Sequence, residues 1–143
     1  MNPAWVCFTW FGMTAGISLL ATPVRFSTPG LPRPLALEVA QRVFSALNKA
    51  ELIALVVLLL IVRVSGRARE YWLFCALLAL ILIAQSAWLL PELSARTQQI
   101  AAGVEPPASI AHAAYSVLEL AKLGLLAYLG ARSMWSSTAP SSS

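Results

Sequence analysis

Four long apolar blocks separated by short polar stretches set the pattern of this chain. A membrane-spanning helix needs about 20 mostly apolar residues, because the hydrocarbon core is about 30 Å thick and a helix rises about 1.5 Å per residue. Ala4 to Ala21 meets that length without a charge. Trp5 and Trp10 stand near its start, where interfacial aromatics belong. Thr22-Pro23 is expected to end it, and the prolines of Thr28-Pro29-Gly30-Leu31-Pro32-Arg33-Pro34 mark a loop. The second block is harder to place. Leu52 to Val62 is purely apolar but covers only about 16 Å. To cross, the helix must extend back to about Val43, with an amphipathic interfacial turn from near Leu35. That extension draws Asn48, Lys49 and Glu51 into the outer part of the span. After the basic link Arg63 to Glu70 comes the clearest block, Tyr71 to Leu90, whose later half holds Gln85 and Ser86 as its polar residues and is followed by Pro91. Glu92 to Ser109 reads as a polar loop, Ile110 to Leu129 as the fourth helix, and Ser133 to Ser143 as a disordered Ser-rich tail.

The pattern therefore predicts an all-α, up-down-up-down four-helix transmembrane bundle over residues 1–132, with spans near 4–21, 43–62, 71–90 and 110–129. Lipid offers free backbone no hydrogen bonds, which leaves a helical bundle as the way to pack four spans. Gly12 and Gly16 form a small-xxx-small pair, expected to let a neighbouring helix approach closely. No cleavable leader is expected, since Arg25, the first basic side chain, follows the first apolar block.

Composition agrees with lipid as the solvent. Of 143 residues 59% are hydrophobic and 11% charged, against about 25% charged in soluble domains. The net charge of +4 is not gathered into a basic face with interleaved aromatics, so nucleic acid is excluded as a partner. Cys7 and Cys75 lie inside apolar blocks without metal-ligand spacing and read as small buried hydrophobes. Arginines are equal in number on the two sides, but Arg63, Arg67 and Arg69 crowd one short link. The positive-inside rule then places the termini and that link in the cytoplasm, in a multi-pass inner-membrane protein.

The chemistry concentrates on the fourth helix. His112, Tyr115, Glu119 and Lys122 are spaced three, four and three apart, which predicts one helical face. Each charge near the centre of a span costs roughly 2.5–3.5 kcal/mol, and the helix's Leu, Ile and Val residues together return about 4 kcal/mol. Glu119 and Lys122 must then turn inward to partners. Depth counting along the second helix offers Glu51 to Lys122 and Lys49 to Glu119. The expected site is a polar pocket between the second and fourth helices, with Arg25 and His112 near its mouth. It would bind or conduct a proton, ion or small ligand. Two alternatives stand beside it: an accessory or assembly subunit, or a homodimer, held by a purely structural ion-pair network; and a haem-dependent redox protein with His112 as axial ligand. No nucleophile–base pair, phosphate loop or HExxH motif supports an enzyme.

Gly12-x-x-x-Gly16, Thr22-Pro23-Val24-Arg25-Phe26, Ala40-x-x-Val43-Phe44, Asn48-Lys49-Ala50-Glu51 and the run from His112 to Lys122 resemble an uncharacterised family of small bacterial four-helix membrane proteins. This is the domain-of-unknown-function 4149 type, with eukaryotic relatives known as transmembrane proteins. It is distantly similar to the membrane domains of copper-resistance proteins and of a haem-binding protoporphyrinogen oxidase. The resemblance implies fold and membrane location. The copper and haem proteins use membrane histidines as ligands, whereas this chain has His112 alone.

Overall fold

The computed structural model describes residues 2–66 and 68–138. Four helices carry the chain: α1 Ala4–Ser27, α2 Arg33–Val64, α3 Arg69–Ala101 and α4 Ala111–Thr138. Each is long and apolar enough to cross a membrane, so the protein is an integral, multi-pass membrane protein. Backbone contacts link α1 with α2, α2 with α3, α3 with α4 and α4 with α1. The bundle is therefore square in section, with α2 facing α4 across a diagonal. Gly30, Gly66 and Gly103 take positive φ in the three connections, a conformation that glycine adopts without Cβ strain.

Several helices run further than their apolar blocks predict. α1 does not stop at Thr22-Pro23, and α3 does not stop at Pro91. A proline inside a helix removes one N–H and drives its ring against the carbonyl four residues back. Here a widened π turn precedes each one, Gly16–Ala21 before Pro23 and Gln85–Leu89 before Pro91. Its bonds reach five residues back, from the Thr22 N–H to the Ile17 carbonyl and from the Leu90 N–H to the Gln85 carbonyl. The Thr22 hydroxyl also donates to Ile17 O at 2.9 Å. Relieved in this way, the chain stays helical. Most of the segment expected as a loop after Pro91 is the last part of α3, and the connection to α4 begins only after Ala101. At the other end α4 continues through Ser133, which is buried and donates to Leu129 O, so the expected disordered tail does not begin there. Residues 139–143 of that tail, and Arg67 of the basic link, lie outside the described residues.

α2 and α3, of 32 and 33 residues, are about 48 and 50 Å long, well beyond a core of about 30 Å. The excess lies at the end of the α1–α2 and α3–α4 connections, which we call the upper end. There the start of α2 and the end of α3 pair outside the apolar blocks, with Gln41 bonded to Ser94.

The largest core fills the lower half of the bundle. It joins Cys7, Leu55, Leu58, Val62, Cys75, Leu78, Leu82, Leu126 and Leu129, and both cysteines are free thiols buried within it. A smaller one, of Leu89, Ala111 and Tyr115 with Phe44 against them, lies above. Gly12 and Gly16 do not mediate a close approach: an added Cβ at either would meet nothing within 4 Å. The tight contact between α1 and α4 is at Gly130, where a Cβ would lie 2.9 Å from Phe8 Cζ.

Candidate functional site

Between the two cores all four helices turn polar side chains inward. Lys122 on α4 is wholly buried. Its ammonium lies 2.6 Å from Glu51 Oε1 on α2 and 2.7 Å from Glu119 Oε2 on its own helix. It donates its third hydrogen to Gln85 Oε1 on α3 at 3.0 Å. An ammonium has three N–H groups, and all three are engaged. The reach of a lysine explains how α2 and α4 meet across a diagonal.

The carboxylates are held by neutral donors from the other helices. Glu51 Oε1 accepts from Trp10 Nε1 at 3.0 Å and from the Thr14 hydroxyl at 2.8 Å. Glu119 Oε1 accepts from the Ser18 hydroxyl at 2.7 Å, and Glu119 Oε2 from Gln85 Nε2 at 2.8 Å. Trp10, Thr14 and Ser18 are four residues apart, so one face of α1 supplies three donors. Ser18 and Gln85 both sit in the π turns that precede Pro23 and Pro91. Two prolines therefore shape the turns that aim two side chains at the centre, a recurrent association of π turns with functional positions.

One turn above Glu51 on α2, Asn48 Oδ1 accepts from the Ser86 hydroxyl at 3.0 Å. Above that, the Phe44 and Tyr115 rings meet edge to face with centroids 5.5 Å apart. α2 and α4 run in the same direction and keep one register: Phe44 with Tyr115, Asn48 level with Glu119, Glu51 with Lys122. Three buried polar atoms in this layer have no partner among the described residues: Glu51 Oε2, Asn48 Nδ2 and the Tyr115 hydroxyl.

Of the residues singled out from sequence, Glu51, Glu119, Lys122 and Tyr115 come together, and the Glu51–Lys122 pair forms. Lys49 does not reach Glu119. It lies on the exposed face of α2 with Glu38, Arg42 and Ser45, and Glu119 is bonded to Ser18, Gln85 and Lys122 instead. His112 is exposed and belongs to a neighbouring face of α4. The buried stripe is Ala111, Tyr115, Glu119, Lys122, Leu126 and Leu129. Arg25 is half-buried near the upper end of α1, and its Nη1 has no partner among the described residues. Trp10 is not interfacial but buried against Glu51, while Trp5 is exposed. Sequence reasoning missed Thr14, Ser18 and Gln85 as members of the site. The signal was there in the four-residue spacing on α1 and in a lone amide within the apolar block that Pro91 follows.

The family model described as a domain of unknown function, DUF4149, matches residues 5–102. The match takes in α1, α2 and α3 with Trp10, Thr14, Ser18, Asn48, Glu51 and Gln85, and ends before the helix that carries Glu119 and Lys122. No curated protein and no solved structure matches the chain. The chain belongs to the DUF4149 family.

Proposed function

We propose that this member of the DUF4149 family binds a proton, or a small cation in its place, at the Glu51–Lys122–Glu119 centre of its bundle. The observation that carries this reading is that two buried carboxylates share one ammonium. With all three ionised the centre bears one unmatched negative charge. An unmatched charge removed from water costs several kcal/mol, and two carboxylates at one site do not ionise independently. Taking up one proton cancels the excess. The other groups around the centre are neutral: Trp10, Thr14 and Ser18 from α1, Asn48 from α2, Gln85 and Ser86 from α3, and Tyr115 from α4.

Glu119 has both oxygens occupied by donors, whereas Glu51 has Oε2 free. The proton therefore belongs on Glu51. The test is infrared spectroscopy of the purified protein in detergent. A protonated-carboxyl band at neutral pH is expected, removed by Glu51→Gln and kept in Glu119→Gln. A spectrum without that band in the wild-type protein would overturn the reading.

A second reading has support of its own. All three N–H groups of Lys122 are satisfied and every helix is tied to the centre, as suits a structural clamp in an assembly or accessory subunit. Gly12 and the exposed residues beside it on α1 leave a face free for a second copy. Under this reading Glu51→Gln folds and leaves any cellular phenotype intact. The proton reading requires the phenotype to be lost. For location we propose the inner membrane with both termini in the cytoplasm, supported by Arg63, Arg69 and Arg132 at the lower end.

A further inference from the structure

The polar centre is not midway between the two faces of the bundle. Exposed tryptophans on the helix surfaces provide the scale, because such rings settle at the membrane interface. Trp72 on α3 and Trp135 on α4 are exposed at the lower end, and each lies 13 residues from the centre, at Gln85 and Lys122 respectively. That separation is about 20 Å by helix rise. Trp88, also exposed, is three residues above Gln85, about 4.5 Å by the same measure.

What lies in the two directions differs as much as the distances do. Below the centre stands the larger core, where Leu55, Leu58, Val62, Leu78, Leu82, Leu126 and Leu129 separate the centre from Tyr71 and the Cys7 and Cys75 thiols further down. The leucine and valine side chains offer a proton no acceptor. Above the centre stand Asn48 bonded to Ser86, then the Tyr115 hydroxyl, then the Phe44–Tyr115 contact with the small core around it. Two buried atoms without a partner among the described residues, Asn48 Nδ2 and Tyr115 Oη, lie on this upper side, and a third, Glu51 Oε2, is in the centre itself. Their residues are 8%, 6% and 0% exposed. A buried polar atom without a partner costs about 1–3 kcal/mol, so three in one layer point to an occupant with hydrogen-bonding groups. Water or a hydronium ion has that chemistry.

We infer that Glu51 exchanges its proton with the upper side alone, through a half-channel whose relay is the Tyr115 hydroxyl and the Asn48–Ser86 pair. This rests on the proton-binding reading and deepens it, making the protein a one-sided proton receptor and not a conductor. In the relay the Tyr115 oxygen accepts a proton from water above and releases its own below, so one O–H bond forms as one breaks. The proton ends on Glu51 Oε2, and the centre passes from one negative charge to none. The charged and titratable groups facing Glu51 are Lys122, Glu119 and Tyr115 from α4. α1 presents Trp10 and Thr14, and α3 presents Gln85, all neutral.

The test uses the full chain in lipid vesicles of known insertion direction, with the pH inside and outside set independently. A hydrophobic carbodiimide, which crosses the membrane and modifies protonated carboxyl groups, is added and each glutamate is read by mass spectrometry. Modification of Glu51 is expected to follow the pH at the upper end and to ignore the pH at the lower end, with Glu119 unmodified. Modification that follows the lower side, or both sides, overturns the half-channel while leaving proton binding standing. Absence of modification at every pH overturns proton binding itself. Tyr115→Phe keeps the ring against Phe44 and removes the relay oxygen. It is expected to lose the rapid response to a pH jump and to keep the final extent of modification. An unchanged response in this variant overturns the role of Tyr115.

Discussion

At the scale of single residues, the two carboxyl groups of the centre are unequal, and substitutions should reveal the inequality. Lys122→Met leaves the buried Glu119 carboxylate without its cation and is expected to lower stability by about 3–5 kcal/mol, the usual cost of removing one partner from a buried pair. Adding Glu119→Gln removes that charge and should recover part of the loss, which unfolding in detergent would measure. Trp10→Phe keeps a ring in place and deletes a donor to the Glu51 carboxyl group, for an expected cost of about 0.5–1.5 kcal/mol, read in the same assay. The charged members of the site were legible in the sequence because lipid makes a charge costly wherever it faces outward. Depth counting then matched Glu51 to Lys122. It could not separate Lys49 from Asn48, its neighbour in sequence, although one helical step turns a side chain from the centre to the exposed surface of the bundle. His112 failed for the same reason. Thr14 and Ser18 raise no such energetic alarm, so their four-residue spacing gained a meaning only when the structure set them beside carboxylates.

At the scale of helices, the two prolines do different work from the one the sequence suggested. Read as helix ends, they placed the boundaries of α1 and α3 too early, because a π turn absorbs a proline without stopping the helix. Pro91→Ala should leave α3 helical and let the π turn relax to regular α geometry. Gln85 would then rotate away from the centre, and Glu119 would lose a donor. The expected sign is carbodiimide modification of Glu119, against none expected in the wild-type protein. Glycines separate in the same way. Gly12→Ala and Gly16→Ala meet open space and should leave monomer stability unchanged. Gly130→Ala must displace the Phe8 ring and is expected to cost about 1 kcal/mol, at the low end for overpacking, because Phe8 is partly exposed and can yield. Differential scanning in detergent would compare the three.

At the scale of the whole molecule, four spans and their order were legible from block length alone, since the hydrocarbon thickness fixes how long an apolar block must be. The square arrangement was not, because apolar faces of similar composition do not specify which helices are neighbours. Nor was the overhang, whose residues are too polar to count as span. That overhang has a practical consequence. A detergent belt or a bilayer covers only about 30 Å of each helix, so the α2–α3 projection and the exposed run 101–105 stand clear as a handle. A broad-specificity protease added to sealed vesicles should clip this run when the upper end faces outward and spare it when it faces the lumen. The native chain thus reports its own orientation without an engineered tag, and an antibody raised to the same projection would distinguish the two faces of the membrane.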